Sequence, residues 1–411
     1  MNQITKLSAA AILILLMLRP DAKAQSGSTE TRYNPITTAV PFLTITPDSR
    51  HGAMGDVGAA TSADANAQYW NPSKLAFTDE KFGLSLSFTP WLRQLVNDVN
   101  LAYLSGYWKL SPQQTIGASL RYFSMGEIQL TDQNGTNLAS VKPNEFALDV
   151  SYSRKLSEYL SGGVALRYIR SDLSGGIGTT TYVPGNAFAS DVSFFYSRDV
   201  SKDEQRKIFG AGINISNIGS RISYDNGSTK EYLPANLKLG ASYTRDLGAF
   251  NALTFALDLN KLLVPTPQLG MGVYDSGKPS ISAIFSSLGD APGGAKEELQ
   301  EINYSLGAEY WYKHKFAVRA GYFNENQYKG NRKFFSTGLG LKMSVCTIDF
   351  AYLIPVNQNN PLANTIRFTL NFNLGSFAAK TEKTELQAVP VRLAAKLVRI
   401  SAGNPPNYPI L

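Results

Sequence analysis

The chain has 411 residues, 43% of them hydrophobic, only 17% charged and 11% aromatic, with a formal net charge of +7. Beyond the first two dozen residues no apolar run is long enough for a membrane-crossing helix. The 21 Tyr and 21 Phe in so lightly charged a chain suit a transmembrane β-barrel better than a soluble domain. The single cysteine, Cys346, excludes an internal disulfide framework. The cations are not gathered with aromatics on one face, which argues against a nucleic-acid partner.

In chain order, Lys6 precedes an apolar run from Leu7 to Leu18, too short to span a bilayer, and Ala22-Lys23-Ala24 offers a small-x-small cleavage pattern. Residues 1–24 therefore read as a signal peptide. Residues 25–50 read as an N-terminal strap whose Pro35, Pro41 and Pro47 argue against helix. Residues 51–80 contain Gly52, Gly55 and Gly58, a run of small residues, and then Tyr69-Trp70-Asn71-Pro72. They hold neither a 3.6-residue nor a 2-residue period for long. Glycine allows close backbone approach, and Asn before Pro is held extended. A compact stretch of this kind can pack inside something larger, and it is read as a hatch or plug.

Residues 81–375 alternate apolar and polar with period 2. Phe82, Leu84, Leu86 and Phe88 oppose Gly83, Ser85, Ser87 and Thr89, and at the far end Ile366, Phe368, Leu370, Phe372 and Leu374 oppose Arg367, Thr369, Asn371 and Asn373. About fourteen such segments follow one another, as expected of a closed antiparallel barrel in a bacterial outer membrane. The last segment must pair with the first, because an open edge in lipid leaves backbone groups unsatisfied. The inward set is expected to include Arg121, Asp149, Arg167, Lys238, Asp258, Glu309, Arg319, Lys342, Asp349 and Arg367, a lumen crossed by ion pairs and not an open channel of one sign. Linkers after odd segments are long and those after even segments short, the pattern of extracellular loops and periplasmic turns. That parity puts the N-terminus in the periplasm. Residues 376–411 read as a basic periplasmic tail.

The plug ending in Tyr69-Trp70-Asn71-Pro72, the segment count and the loop parity resemble the FadL-like barrels, whose N-terminal hatch carries Asn-Pro-Ala; here Ser73 takes the third place. The run Phe285-Ser286-Ser287-Leu288-Gly289-Asp290-Ala291-Pro292-Gly293-Gly294, continued by Glu297-Glu298-Leu299, Ser305–Tyr312 and Phe316–Phe323, resembles more closely the PorV (LptO) family of type IX secretion proteins of Bacteroidetes. The resemblance implies a non-enzymatic carrier. Such a protein would take the C-terminal signal domain of cargo from the Sov/SprA translocon to an attachment complex of PorU sortase, PorQ and PorZ, for linkage to anionic lipopolysaccharide.

The longest loop, 261–301, is the expected partner-binding element. It places Ile281, Ile284, Phe285 and Leu288 beside Asp290, Ala291, Pro292, Gly293 and Gly294, outside the expected bilayer zone, where apolar residues need a partner or a fold of their own. The other reading is that they pack over the barrel mouth. A second class of function is uptake of hydrophobic molecules in the manner of FadL. A third, lipid A deacylation, finds little support. There are two histidines, His51 and His314, and no nucleophile-elbow spacing, so no catalytic residue is expected. One Cys and two His leave zinc without its usual ligands, Asp290, Glu297 and Glu298 form an exposed acidic loop sooner than a calcium site, and no cofactor is expected.

Overall fold

The structure, a computed structural model, describes residues 33–373 except 94, 177–181, 203–204, 269–276 and 358–361. The signal peptide, the start of the strap and the 376–411 tail lie outside the described residues. Fourteen strands close into one antiparallel barrel. They are β1 (Phe82–Pro90), β2 (Val99–Ser111), β3 (Gln114–Met125), β6 (Asn144–Lys155), β7 (Leu160–Asp172), β8 (Gly185–Asp199), β9 (Lys207–Gly219), β10 (Asn236–Asp246), β11 (Ala252–Leu262), β12 (Asn303–Tyr312), β13 (Phe316–Asn324), β14 (Lys333–Lys342), β15 (Cys346–Pro355) and β16 (Ile366–Asn373). β4 (Ile128–Thr131) and β5 (Asn137–Val141) form a separate hairpin in the loop between β3 and β6. That hairpin falls in a long linker, where the barrel's alternation gives no sign of it.

Closure follows the period-2 pattern. β1 pairs with β16 in the register Leu86↔Leu370, Ser87↔Thr369 and Phe88↔Phe368. Leu86, Phe88, Leu370 and Phe368 face outward, where lipid covers them, and Ser87 and Thr369 are buried inside, bonded to each other at 2.8 Å. Every connection at one end of the barrel is short: 112–113, 156–159, 200–206, 247–251, 313–315 and 343–345. The longest connections, 126–143 and 263–302, are at the other end.

The strap departs from expectation. The amide of Asn34 donates to the carbonyl of Tyr328, in the 325–332 loop, and the amide of Ala39 to the carbonyl of Tyr232. The first described residues thus lie at the long-loop end, not the periplasmic one, because loop parity reports only where β1 begins. Pro41–Thr44 forms a 3₁₀ turn, compatible with proline at a first helical position. Val40, Phe42 and Leu43 pack against Ala147 and Ile169 of the wall and Ile222 of the loop between β9 and β10.

Leu370 sits near the middle of β16 with its side chain toward lipid. Leu370→Arg is expected to lower the unfolding free energy by about 2–4 kcal/mol, the cost of a cation near the bilayer midplane, as measured by denaturant titration in lipid vesicles.

Candidate functional site

Residues 48–78 occupy the lumen. They contain two single-turn helices, α1 (Ser49–Gly52) and α2 (Ala67–Trp70), and a 3₁₀ turn over Pro72–Phe77. Two rows of wall residues receive their backbone. In the first, Ala256, Gly307, Gly321 and Ser336 are successive partners across β11 to β14, each directly paired with the next. Met54 and Gly55 lie on that row, and the Gly55 amide donates to Ser336 Oγ at 2.8 Å. A methyl group on Gly321 would collide with the Met54–Gly55 backbone, and Gly55 itself has φ +73°, which favours glycine. In the second row Gly212, Gly240 and Asp258 pair across β9 to β11. The Asp258 carboxylate accepts from the amides of Gly58 (2.8 Å) and Ala59 (2.9 Å).

Two of the residues named from sequence, Gly58 and Trp70, join one buried network, and the others pack around it. Asp48 accepts from the His51 amide at 3.1 Å, contacts His51 Nδ1 at 2.7 Å, and accepts from Trp70 Nε1 at 2.7 Å. His51 Nε2 lies 3.0 Å from Thr61 Oγ1, and Lys74 Nζ donates to Thr61 Oγ1 and to the Gly58 carbonyl. Gly58 lies against the Trp70 ring, where a Cβ would not fit, and Gly52 against Arg367. The acid–histidine–hydroxyl series resembles a catalytic arrangement, yet all its members are fully buried, so no substrate reaches it. Asn71 is extended (φ −169°, ψ 96°) before Pro72. Its Nδ2 donates to the carbonyls of Ala59 and Phe194, and its Oδ1 accepts from the amide and hydroxyl of Ser73. Serine in the third position therefore adds a bond that alanine would lack. Tyr69 meets Trp70 edge to face.

Ion pairs tie the lumen together. Arg319 bridges Glu309 (2.6 Å) and Asp349 (2.7 Å), Arg50 of the inserted segment joins Glu309 and Asp64, both at 2.8 Å, and Arg167 pairs with Asp149 and Asp191. Nine of the ten charges expected inside are buried. Lys342 is the exception: it closes β14 at the short-turn rim and is exposed. Asp191 belongs to the set and was missed, although it alternates in step with its strand.

The long loop is pinned to the barrel mouth. Lys261 pairs with Glu298 (2.8 Å) and Glu301 (2.5 Å), and Lys329 with Glu297 (2.5 Å) and Glu301 (3.0 Å). Asn34 of the strap donates to Glu297 at 3.0 Å. Burial raises the Glu297 carboxyl, but bonds from Lys329, the Gly293 amide and Asn34 outweigh it and hold the group below its ordinary value. Burial pushes Asp290 up, only partly offset by the Thr266 amide. The glycine pair serves the turn into helix α4 (Ala295–Gln300): Gly293 N–H donates to Glu297 and Gly294 has φ +67°. Ala291 is buried, Pro292 and Asp290 half-buried, and both glycines exposed.

The apolar residues of the loop divide. Leu263 and Val264 are buried at the mouth, and Ile284 is half-buried. On helix α3 (Ser280–Ser286) and just beyond it, Ile281 (65% exposed), Phe285 (72%) and Leu288 (43%) form one outward face at four- and three-residue spacing, while Ala283 and Ser287 are buried behind it. The loop's apolar residues are thus split, Leu263 and Val264 packed at the mouth and Ile281, Phe285 and Leu288 facing outward.

A lipid-facing barrel closed without an edge, its lumen filled by its own N-terminal segment, defines a plugged β-barrel protein of the outer membrane. A family model described as type IX secretion system protein PorV matches residues 28–269, more than half of the chain, and the chain belongs to that family. No curated protein matches it. Similar solved structures include the Pseudomonas putida toluene transporter TodX, at 12% identity and TM-score 0.46 over 83% of this chain and 98% of that one. The Ralstonia pickettii toluene transporter TbuX aligns at 12% and 0.41, over 80% of this chain and 96% of its own. A Pseudomonas aeruginosa FadL homologue aligns at 12% and 0.41, over 83% and 99%. The architecture rests on the strand pairing of this chain and not on those alignments.

Gly321→Val is expected to leave the barrel closed but expel the Met54–Gly55 backbone, producing conductance steps in planar bilayers where the parent gives none. A silent trace from the variant contradicts the packing role. In the loop, a carboxyl whose folded pKa is depressed contributes stability above its unfolded pKa and loses it as pH falls through the folded one. Glu297→Gln should therefore speed amide exchange in 290–301 at neutral pH, and the difference from the parent should vanish in acid below the ordinary glutamate range.

Proposed function

We propose that the inserted segment is a hatch and that the barrel works as a closed scaffold, not a conduit, for the type IX secretion system. Its task would be to hold the C-terminal signal domain of cargo received at the Sov/SprA translocon. It would then deliver the cargo to the PorU sortase with PorQ and PorZ, for attachment to lipopolysaccharide. The observation that carries this reading is the Ile281–Phe285–Leu288 face. It is apolar, it stands outside the expected bilayer, and four carboxylate–lysine contacts anchor its loop to a rigid rim. Binding residues commonly sit on loops positioned by a rigid scaffold, and exposed apolar anchors dominate the energy of protein interfaces.

Uptake of hydrophobic solutes is less well supported, because the cavity beneath the strap carries Asp56, Lys238, Arg332 and Arg367 on its walls. Family membership favours a non-enzymatic component, and the buried state of the only His-centred network among the described residues supports the same view.

The test is Ile281→Asp combined with Phe285→Asp, assayed by crosslinking and pull-down from native outer membranes. Capture of cargo signal domain is expected to fall about tenfold or more, as for loss of interface anchors, with heat-modifiability on gels unchanged. Undiminished capture by a normally inserted variant overturns the proposal.

A further inference from the structure

Between the strap and the inserted segment lies a cavity of about 440 Å³, within the range of small-molecule sites. One strip of its wall has an unusual composition. Asn214 on β9 pairs with Lys238 on β10, Lys238 with Asn260 on β11, and Asn260 with Asn303 on β12. Directly paired residues project to the same side of a sheet. These four consecutive inward positions, one step toward the long loops from the Gly212–Gly240–Asp258 row, therefore form a continuous polar belt around a quarter of the lumen.

The charges on the cavity wall are not alike. Arg167 is held by two aspartates, Lys329 by two glutamates, and Arg332 by Glu325 at 2.8 Å. Arg367 reaches Asp56 only at 3.9 Å. Lys238 makes no ion pair or hydrogen bond among the described residues; its ammonium lies 4.0 Å from the centre of the Trp70 ring. With those groups partnered, Lys238 is left on the cavity wall with neither an ion pair nor a hydrogen bond among the described residues, and Arg367 and Asp56 are only loosely matched to each other. The flanking Asn260 and Asn236 amides and the Tyr69 hydroxyl also make no side-chain hydrogen bond among the described residues, and all face the same space. Each amide both donates and accepts. A cation flanked by such groups matches a ligand that carries a carboxylate together with hydroxyls.

From this geometry we infer that the cavity binds a small polyhydroxylated carboxylic acid, a sugar acid in chemical class, with its carboxylate on Lys238 and its hydroxyls on Asn260 and Asn236. The apolar part of the lining, including Leu43, Ile45, Phe323 and Leu353, lies away from this belt, so a ligand seated on Lys238 meets amides first. The inference does not depend on the cargo-carrying role.

The test uses the full mature protein in detergent micelles, titrated calorimetrically with glucuronate, glucose and succinate. Saturable binding is expected for glucuronate, with glucose and succinate each much weaker. Lys238→Met, which retains the stem against Trp70, should weaken glucuronate by about tenfold or more, the usual scale for a charge-assisted bond. Asn260→Leu, which fills the belt without touching the cation, should weaken it as well. Both variants are checked for heat-modifiability, so that loss of binding is not loss of fold. Methyl β-glucuronide separates two sources of the same chemistry: affinity equal to glucuronate points to a sugar at the end of a glycan, and loss of affinity to a free acid. Glucose or succinate binding as well as glucuronate overturns the inference, as does failure of all three at millimolar concentration or an unchanged affinity in both folded variants.

Discussion

Everything inside this barrel follows from the need of buried polar groups for partners. The wall turns Arg121, Asp149, Arg167, Asp258, Glu309, Arg319 and Asp349 away from lipid, and none is exposed to bulk water. Uncompensated, one such charge costs several kcal/mol, and breaking a buried pair from one side costs about 3–5 kcal/mol. Part of the compensation comes from neighbouring strands, as in Arg319 with Glu309 and Asp349. The rest comes from the strap, whose Leu43 carbonyl accepts from Arg121, and from residues 48–78. Arg50 completes the Glu309 site, the Gly58 and Ala59 amides fill Asp258, and Ser49 N–H donates to Thr369 at the seam where β16 meets β1. The inserted segment is therefore part of the barrel's electrostatic closure, and displacing it exposes charges on both partners.

Most of the wall was readable from sequence because period 2 is a strong signal and lipid punishes a slip: shifting Ile366–Asn373 by one residue would turn Arg367 and Thr369 outward. What fills the lumen was less readable. Alternation says which face a residue takes but not what that face meets. The spacing of Gly52, Gly55 and Gly58 suggested close packing, yet Gly52 meets Arg367 and Gly58 meets Trp70, while the wall glycines Gly307, Gly321, Gly212 and Gly240 receive the backbone of Met54, Gly55, Ala59 and Ala60. Their signal was available in principle, since each stands at an inward slot where a side chain would be expected. The strap at the long-loop end, the exposed Lys342 and the β4–β5 hairpin all belong to segments before, at the rim of, or between the regular strands, where the period carries no information.

The long loop shows how an exposed apolar face can be kept from collapsing. Ile281, Phe285 and Leu288 would lower their free energy by folding onto Leu263 and Val264 at the mouth. The Lys261 and Lys329 contacts hold the 297–301 segment against the rim, and Tyr232 donates to the Lys278 carbonyl at 2.7 Å. Fixed at both ends of its described part, helix α3 buries Ala283 and Ser287 and leaves the larger residues facing outward. A surface presented in this way has already lost much of the conformational entropy that binding would otherwise cost.

The lumen and the loop thus divide the work by polarity. Apolar residues capable of recognition are placed outside, on a loop held by ion pairs. The space within carries a belt of amides and charges on one side and apolar residues such as Leu43, Ile45, Phe323 and Leu353 on the other. A hydrocarbon entering the cavity would have to desolvate Lys238, Arg367 and Asp56 without offering them a hydrogen bond, at a cost of roughly 1–3 kcal/mol or more for each group left unmet. A hydrophilic ligand pays no such penalty, because it replaces water bond for bond along the belt from Asn214 to Asn303. The same belt lies one row above the glycines that seat the hatch, so whatever occupies the cavity rests against Tyr69 and Trp70, and Trp70 in turn donates to Asp48 and lies against His51. Occupancy there and the seating of the hatch are contiguous in space, through side chains that are already packed.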